Sequence, residues 1–316
     1  MKIFRFIPII KHTIWGGNKI ALLKNLTIPT EHIGESWELS GLPGHESICV
    51  GNPQKINSLV ASKKGRLVGD HVYEQYGNTF PLLVKFIDAA SNLSVQVHPN
   101  ENVAKMHGYL HGKTEMWYVL PSAPDAFLYC GLRQIVSKAQ FEQIIEDGYI
   151  CNALARYPVK EGDVFFIPAG RIHAIGAGCL IVEIQQASDV TYRIYDYGRK
   201  DLNGNLRELH IREALESIDF DVYDDYRTHY NLQYNHPCEL VRCSYFVASV
   251  YDITKPICIN QEQMDSFIIL IGLSGEVIVN TDDETILLHC YETLLLAAEN
   301  RKVKICGFGK IMQVNM

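Results

Sequence analysis

The sequence lacks the features that would place it in several large classes of protein. Its 316 residues contain no run that approaches the roughly 18 consecutive apolar residues of a membrane-spanning helix. No basic run is present, and the net charge is −7, with 36 acidic against 29 basic residues. We therefore expect neither a membrane nor a nucleic acid as the main partner.

The sequence also lacks a disulfide framework and an export signal. Its nine cysteines are scattered and include no CxxC pair, a pattern typical of reduced thiols in the cytoplasm and not of a cysteine zinc site. The apolar run Met1–Ile10 is interrupted by Arg5 and is followed by no small-residue cleavage site. We therefore expect a cytoplasmic protein.

The composition is that of an ordinary globular protein. Hydrophobic residues make up 47% of the chain, aromatic residues 10% and charged residues 21%, which excludes a disordered or fibrous chain. At roughly 150 residues per domain, the length predicts two domains. The chain is long enough to bury a core without disulfides or structural metals.

Short β-branched and aromatic runs, separated by Gly, Pro and Asn, predict a mainly β protein of sandwich or barrel type. The clearest predicted strands are Leu93–Val97, Met116–Leu120, Ala126–Cys130, Val164–Ile167, Leu180–Ile184, Phe267–Ile271, Val277–Val279 and Thr293–Leu296. Two segments predict helices instead. Ser137–Asp147 has a capping box formed by Ser137 and Gln140, and the apolar residues Ile211, Leu215 and Ile218 recur at helical spacing.

A weak internal repeat indicates two copies of one β-unit. Two gapless alignments support it, Glu115–Leu128 with Ser266–Val279 and Gly162–His173 with Tyr291–Lys302. The second copy has Ser266 and Lys302 where the first has Glu115 and His173. A polar site, if there is one, is therefore expected in the first copy.

The repeat predicts two domains, of which only the first would carry a site. We expect this first domain over residues 1–236 and a degenerate copy over residues 237–316; the resemblance described below implies that the first domain is the catalytic one. The polar, Tyr-rich stretch Asp219–Pro237 follows the second predicted helix and is the expected connection.

Polar residues share one face of a predicted strand that is otherwise apolar. Alternation along the strand puts Leu93, Val95 and Val97 on one face and Ser94, Gln96 and His98 on the other. If the polar face is buried it needs partners, and a divalent metal bound through imidazole and amide would supply them. A solvent-facing strand explains the pattern equally well.

In the segment Gly162–His173, a strand enters a Pro-x-Gly turn and a histidine follows. The spacing G-x5-P-x-G-x2-H is similar to the second motif of the cupins, which are small jelly-roll barrels. There the turn points the histidine into the barrel. Ala177 departs from the pattern, because cupins usually have Asn at that position, and Gln96-x-His98 replaces the H-x-H of the first cupin motif.

Three charged residues lie on predicted strands where a charge needs a partner. Glu115 is either solvated or a carboxylate ligand beside His98 and His173. Lys85 either reaches water from a sheet edge or awaits an anionic ligand. Glu183, between Val and Ile, either forms an ion pair with a neighbouring basic residue or has a function in the same polar site.

Together these residues resemble the type I phosphomannose isomerases in their short bacterial form. Six motifs occur in the family's order between residues 12 and 199. They are Trp15-Gly16-Gly17, Gly34-Glu35-Ser36-Trp37-Glu38-Leu39-Ser40, Gln96-Val97-His98-Pro99, Gly112-Lys113-Thr114-Glu115, Pro168-Ala169-Gly170-Arg171-Ile172-His173 and Ser188-Asp189-Val190-Thr191-Tyr192-Arg193. The chain is too short for the large helical insertion of the long form.

The resemblance implies a mainly β fold of two cupin units with a few added helices, the second unit being degenerate. It implies one Zn²⁺ per chain, held by the four residues Gln96, His98, Glu115 and His173. It also implies a catalytic arginine at Arg193, with Glu183 and Lys113 as further catalytic candidates. The substrate-binding candidates are Ser94, Lys85, Arg171 and Asp189.

The implied reaction interconverts mannose 6-phosphate and fructose 6-phosphate through an enediol. Glu183 is our first choice of base, because burial would raise its pKa toward a working range, and Lys113 or a metal-bound water are the rivals. Arg193 remains protonated and suits stabilisation of the enediolate. The phosphate is expected to meet Lys85 or Arg171.

Two other functions fit the same residues. His98, Glu115 and His173 form the two-histidine, one-carboxylate set of non-haem iron dioxygenases on cupin folds, although Gln96 and Arg193 argue against that function. A non-catalytic sugar-binding cupin would bind its ligand without turnover. For the isomerase we expect a small phosphosugar as partner, and a monomer or a weak homodimer.

Overall fold

The computed structural model describes residues 2–27, 32–201, 204–262, 264–300 and 302–316. Strands far outnumber helices in these residues, so the predicted mainly β class is confirmed. Within the described ranges, no helix has both the length and the apolar character needed to cross a membrane.

The strands are short, apart from two long ones near the C-terminus. They are β1 (Ile3–Phe4), β2 (Phe6–Ile7), β3 (Ile9–Gly17), β4 (Ile33–Ser40), β5 (Ile48–Cys49), β6 (Leu82–Asp88), β7 (Val95–Val97), β8 (Glu115–Val119), β9 (Phe127–Leu132), β10 (Leu154–Pro158), β11 (Val164–Ile167), β12 (His173–Ile175), β13 (Leu180–Gln186), β14 (Tyr192–Tyr195), β15 (Cys238–Arg242), β16 (Val247–Ile253), β17 (Ile257–Asn260), β18 (Ile268–Asn280), β19 (Thr285–His289), β20 (Thr293–Leu296) and β21 (Lys302–Asn315).

The helices have four to nine residues each. They are α1 (Lys19–Leu23), α2 (Ile56–Lys63), α3 (Gly65–Val68), α4 (Asp70–Tyr76), α5 (Glu101–Met106), α6 (Lys138–Glu146), α7 (Ile150–Ala153) and α8 (Ile211–Ser217). Both predicted helices are confirmed, as α6 and α8. The capping box is present, with Ser137 Oγ accepting from the Gln140 backbone N–H at 3.3 Å and Gln140 Oε1 accepting from that of Ser137 at 2.8 Å.

The chain divides into two compact units. The terminal unit comprises Met1–Ile9, Trp37–Leu83 and His229–Met316, and the central unit comprises Ile10–Ser36 and Val84–Thr228. The break between residues 228 and 229 falls inside the stretch Asp219–Pro237. The expected domain boundary after residue 236 stays a prediction, because compactness does not test independent folding.

The central unit is built around two sheets. One has the strand order β10-β9-β12-β7-β14, and the other has the order β11-β8-β13-β6-β4-β3. A single apolar cluster joins Trp117 and Phe165 of the six-stranded sheet to Leu128 and Ile175 of the five-stranded sheet. The two sheets therefore pack face to face.

Helices cover the other face of the five-stranded sheet. Val95, Val97 and Tyr192 on that face pack in one cluster with Phe141 of α6 and Ala214 of α8. The neighbouring residues on these strands must therefore point into the space between the two sheets, because strand residues alternate in direction.

Leu93 departs from the predicted alternation. It packs in the cluster between the sheets, beside Trp117, and not with Val95 and Val97. The prediction was wrong at this residue because β7 begins only at Val95. Alternation holds within a strand and does not extend into the preceding loop.

A close approach of strands β3 and β4 explains why two of the six family motifs contain glycine, at Gly16 and Gly34. A Cβ placed on Gly34 of β4 would lie 2.7 Å from the ring of Trp15, and one on Gly16 of β3 would lie 2.5 Å from the carbonyl oxygen of His32. Both distances are shorter than any ordinary van der Waals contact. Glycine is therefore required where β3 and β4 pass each other.

The terminal unit is organised by one sheet with the order β1-β20-β18-β21-β16-β15, with β17 and β19 attached. The two predicted strands Phe267–Ile271 and Val277–Val279 are parts of one longer strand, β18, which begins at Ile268. The register shifts between Gly272 and Ser274, and Gly275 has φ +65°. This bulge bends the strand without ending it.

The repeated unit can be traced in the strand pairing. β8 pairs antiparallel with β11 in the first copy, and β18 pairs antiparallel with β20 in the second. The partner of Ile167 is Glu115, whereas the partner of Leu296 is Ile268 and not the aligned Ser266, so the register differs by two residues.

Candidate metal centre and active site

Three of the predicted site residues lie side by side on the five-stranded sheet. Gln96 on β7 is the Cα partner of His173 on β12 and of Arg193 on β14. Directly opposed residues of neighbouring strands project from the same face of a sheet. Since Val95 and Val97 face the helices, this row faces the six-stranded sheet.

The six-stranded sheet contributes a carboxylate to the same space. Glu115 Oε1 lies 3.6 Å from His173 Nε2, and Glu115 Oε2 lies 3.5 Å from His98 Nε2. Potential ligand atoms of these three residues all lie within 4.8 Å of one another, and this is the one such group in the part of the chain that the structure describes. All three residues are buried, so the solvated alternative for Glu115 is excluded.

Lys113 supplies a positive charge inside this cluster. Its ammonium lies 2.7 Å from Glu115 Oε2 and donates to His98 Nε2 at 2.9 Å. Burial, reinforced by this charge, lowers the pKa of His98 well below its ordinary range. Burial also lowers the pKa of His173 to about 4, although a hydrogen bond to the backbone of Arg171 opposes the shift. Both imidazoles are therefore neutral near pH 7.

The pKa of Glu115 is raised, whereas the pKa values of the two histidines are lowered. Burial raises its pKa to about 7, with the nearby charge of Glu183 adding to the shift and Lys113 opposing it. Apart from the Lys113 ammonium beside Oε2, no described group donates a hydrogen bond to either oxygen of Glu115. A buried carboxylate with so few partners is costly, and a divalent ion would compensate it.

The chemistry of the donor set fits a metal ion. Two neutral imidazoles and one carboxylate are ligands that Zn²⁺ and related divalent ions accept. Gln96 borders this set, because its amide nitrogen lies 3.3 Å from His173 Nε2, and its amide oxygen accepts from Ser94 Oγ at 3.4 Å. The structure thus brings Ser94 together with all four predicted ligands.

A second buried charge network adjoins this cluster on the six-stranded sheet. Lys85 Nζ lies 3.2 Å from Glu183 Oε1 and 3.7 Å from Glu35 Oε2. The indole N–H of Trp117 donates to Glu183 Oε2 at 2.9 Å. Lys85 and Glu183, which each needed a partner in the sequence, are thus partners of one another.

In this network the pKa of Glu183 is lowered and the pKa of Lys85 is raised. Burial works to raise the pKa of Glu183, but the charges of Lys85 and Lys113 outweigh it and hold the pKa below its ordinary value. Burial works to lower the pKa of Lys85, but Glu35 and Glu183 outweigh it and hold the pKa above its ordinary value. The pair is therefore ionised at neutral pH. The expected rise in the pKa of Glu183 was wrong, because the charges of the two lysines outweigh the effect of burial.

Arg193 lies on β14, the edge strand of its sheet, next to a bulge. Its partner is Gln96, whereas the partner of Tyr195 is Val95, so the register shifts between the two pairs. Bulges re-aim side chains and are common beside active sites. The guanidinium donates from Nη1 to the carbonyl oxygen of Glu208 at 2.9 Å, while its buried Nε has no hydrogen-bond partner among the described groups.

Two predicted substrate residues lie in other surroundings. The guanidinium of Arg171 stacks over the rings of Tyr223 and Tyr226, at 4.7 and 4.8 Å from their centroids. Asp189 is exposed to solvent. Arg171 contacts the buried cluster through its backbone carbonyl, which lies 2.8 Å from His173 Nδ1, and not through its guanidinium. The roles of the Arg171 and Asp189 side chains therefore stay predictions.

Two arginines near the site were missed from the sequence. Arg199 and Arg207 both form ion pairs with the buried Asp196, the latter at 2.8 Å. Burial lowers the pKa of Arg193, and the charge of Arg207 and, more weakly, of Arg199 lowers it further, with Asp196 opposing. The i, i+3 spacing of Asp196 and Arg199 was a usable signal, but nothing in the sequence marked Arg207.

Fold and site together define a class: mainly β proteins that hold a buried two-histidine, one-carboxylate centre between two sheets. Comparison with known proteins narrows the class. Residues 3–125 match the family model described as phosphomannose isomerase type I, catalytic domain. The mannose-6-phosphate isomerase ManA of Bacillus subtilis (strain 168) is 36% identical over 276 residues, which cover 86% of this chain and 85% of that protein. The chain belongs to the type I phosphomannose isomerase family.

Solved structures agree with this assignment. The crystal structure of the mannose 6-phosphate isomerase from Bacillus subtilis matches over 100% of both chains, with a TM-score of 0.88 and 29% identity. A mannose 6-phosphate isomerase solved with bound zinc and yttrium matches over 99% of both chains, with a TM-score of 0.79. At 17% identity, that second likeness shows the fold alone.

Proposed function

We propose that this protein is a metal-dependent aldose–ketose isomerase that interconverts mannose 6-phosphate and fructose 6-phosphate. The relatives named above carry this activity in their names. The observation that carries the proposal is the buried cluster of His98, Glu115 and His173, with ionised Lys85 and Glu183 beside it. It combines a metal-ligand set with charged groups that proton transfer requires.

The proposed cofactor is one Zn²⁺ per chain, held by His98, Glu115, His173 and the amide oxygen of Gln96. The zinc-bound relative of the same fold supports this choice of metal. A half-turn of the Gln96 amide would direct its oxygen instead of its nitrogen toward His173. When bound, the ion would act as a Lewis acid on the sugar oxygens or orient them.

Glu183 is the proposed base. Lys85 and Trp117 hold its two oxygens from different sides, and the charges around it keep it ionised, which is the state that can accept a proton. Lys113 is the rival. It donates to His98 Nε2, and one imidazole lone pair cannot serve both an ammonium and a metal. Lys113 would therefore release His98 when the ion binds and become available to the substrate.

Arg193 would stabilise the enediolate, because a guanidinium stays protonated and its Nε is not used by the protein. For the phosphate, the three guanidinium groups of Arg193, Arg199 and Arg207 outnumber the two carboxylates of Asp196 and Glu208 and so leave an excess of positive charge. Lys85 is less suited to the phosphate, since two carboxylates already engage it.

The remaining expectations are also proposals. None of the nine cysteines, all of which lie in the described ranges, forms a disulfide, which supports a cytoplasmic location. A monomer or weak homodimer stays a prediction.

The test supplies mannose 6-phosphate and follows fructose 6-phosphate in metal-replete and chelator-treated protein. We expect turnover that is lost on metal removal and restored by Zn²⁺. Arg193→Ala should lower kcat by about 100-fold or more, whereas the control Arg133→Ala, at an exposed position, should not. Absence of turnover in the metal-replete wild type would refute the isomerase, and turnover without metal would refute the role of zinc.

A second experiment tests the base. Glu183→Gln keeps the size and the hydrogen-bond acceptor of the side chain but removes the basic carboxylate. If Glu183 is the base, the variant should lose about 100-fold or more of kcat. If the variant keeps wild-type kcat, Lys113 becomes the first candidate, and Lys113→Met should then abolish turnover.

One observation favours a second candidate function. The three-residue set His98, Glu115 and His173 also suits Fe²⁺ in a non-haem dioxygenase. Gln96, at 3.3 Å from His173, would occupy a position that oxygen activation needs open. Substrate-dependent oxygen uptake by the Fe²⁺-loaded protein would support the dioxygenase. Sugar-phosphate binding without turnover would support a binding protein.

A further inference from the structure

The backbone N–H and C=O of Arg193 both form hydrogen bonds with one residue outside the sheet, His210. The backbone N–H of His210 donates to the carbonyl oxygen of Arg193 at 2.7 Å, and the backbone N–H of Arg193 donates to His210 Nδ1 at 3.3 Å. Since β14 is an edge strand, these groups would otherwise face away from the sheet without a strand partner. His210 completes the edge at the very residue proposed to stabilise the enediolate.

The same segment also holds the side chain of Arg193. Two residues before His210, the carbonyl oxygen of Glu208 accepts from Arg193 Nη1 at 2.9 Å. One residue earlier still, Arg207 is anchored on Asp196 at 2.8 Å from Nε to Oδ2. Residues 207–210, here called the strap, thus fix Arg193 at its backbone and at its guanidinium.

The pairing pattern explains why the backbone contact matters for the side chain. Because His210 uses the N–H and the C=O of Arg193, the pair that Arg193 makes with Gln96 is of the non-hydrogen-bonded kind, in which side chains lie closest. Any shift of β14 along its axis would move the guanidinium relative to Gln96 and the other proposed metal ligands. The bulge beside Arg193 makes such sliding easier to accommodate.

We propose that His210 is a positioning residue for Arg193, which it fixes against Gln96 by accepting the Arg193 backbone N–H at Nδ1. This inference rests on the proposed isomerase function and on the role of Arg193 in it. Among the described residues, the His210 side chain contacts Arg193, Tyr192 and Glu208 and none of the proposed metal ligands. Its effect on the reaction passes entirely through Arg193.

Two variants of similar size separate the acceptor from the bulk of the side chain. His210→Asn keeps an acceptor, because the Asn Oδ1 occupies nearly the position of Nδ1, whereas His210→Leu has the same branched shape without one. We expect His210→Leu to lower kcat by about 10- to 100-fold, the loss typical of a misplaced catalytic group. KM should change by less than about threefold, and His210→Asn should restore most of kcat.

A double-mutant cycle shows whether the effect passes through Arg193. Combined with Arg193→Ala, His210→Leu should cause no further loss of the residual activity. Zinc content and thermal midpoint are measured for every variant. His236→Leu, at an exposed histidine of the terminal unit, is the control and should match the wild type throughout.

The possible outcomes are distinct. Wild-type kcat in His210→Leu, or an equal loss in the Asn and Leu variants, would overturn the positioning role. A loss in His210→Leu that persists in the Arg193→Ala background would also overturn it, because His210 would then act by another route. If His210→Leu does not fold, wild-type kcat in His210→Ala would overturn the role. If the wild type itself shows no turnover, the proposed function fails first, and this inference fails with it.

Discussion

Replacing Lys85 by Met should unbalance the buried charge network and destabilise the protein strongly at neutral pH. Lys85 and Glu183 are almost fully buried, with side chains 7% and 4% exposed, and their charged atoms are 3.2 Å apart. Met keeps the length and volume of Lys, so the substitution removes the charge with little change in packing. Breaking a buried pair by removing one partner costs about 3–5 kcal/mol, because the other charge stays buried and uncompensated.

The pH dependence of this cost has a definite sign. In the wild type, Lys85 and Lys113 hold the pKa of Glu183 below its ordinary value, so this pair contributes stability above the unfolded-state pKa and loses it as the pH falls through the folded-state pKa. Without Lys85, burial would raise the pKa of Glu183 in the folded state. The variant then carries a penalty that is complete at neutral pH and disappears as Glu183 is protonated.

The assay is denaturant unfolding of wild type and Lys85→Met at about pH 7.5 and about pH 5. We expect a loss of about 3–5 kcal/mol at the higher pH, and a clearly smaller loss at the lower pH. Lys160→Met is the matched control, since that side chain is 84% exposed and pairs with Asp163 at 3.2 Å, and it should cost no more than about 1 kcal/mol. A loss in Lys85→Met as small as the control, or one that does not shrink with acid, would refute the reasoning.

Three further predictions follow from contacts described above. Because burial raises the pKa of Glu115 to about 7 while His173 stays neutral down to about 4, protons should compete with the metal at Glu115. The apparent zinc affinity, measured with a competing chelator, should fall about tenfold per pH unit between about pH 7 and pH 5, and a flat profile would contradict this. Trp117→Phe removes the N–H that donates to Glu183, and should cost about 1.5–3 kcal/mol in denaturant unfolding; a cost below about 0.5 kcal/mol would show that this bond contributes little. Ser137→Ala should cost about 1 kcal/mol through the lost cap of α6 while leaving turnover unchanged, and reduced kcat in this variant would show that α6 influences the site.

Local sequence patterns predicted the parts of the structure that depend on neighbouring residues. The capping box of α6 involves residues three apart, and both of its hydrogen bonds are present. The prediction for Leu93 was wrong because the pattern of β7 was extended into a loop. The two predicted strands Phe267–Ile271 and Val277–Val279 belong to one longer strand, β18, because a bulge bends that strand without ending it.

The candidate site was predictable in its residues but not in its connections. The sequence marked Lys85 and Glu183 as charges in need of partners, yet 98 positions of chain separate them, and only the folded sheet makes them one pair. Glu35 and Trp117 lay inside or beside recognised motifs, but the sequence did not indicate that Glu35 contacts Lys85 or that Trp117 donates to Glu183. Arg207 and His210 could not be found, because their approach to Arg193 depends on how the chain returns to an edge strand.

The row formed by His173, Gln96 and Arg193 has a consequence for how the site comes into being. Each of the three comes from a different strand, and their alignment depends on β7 meeting β12 and β14 in one particular register. A slip of β7 by a single residue would turn Gln96 toward the helices and Val95 or Val97 toward the carboxylate of Glu115. The three side chains therefore come together only when β7 has the correct register with both neighbouring strands. Tight metal binding would then report that the five-stranded sheet is correctly paired.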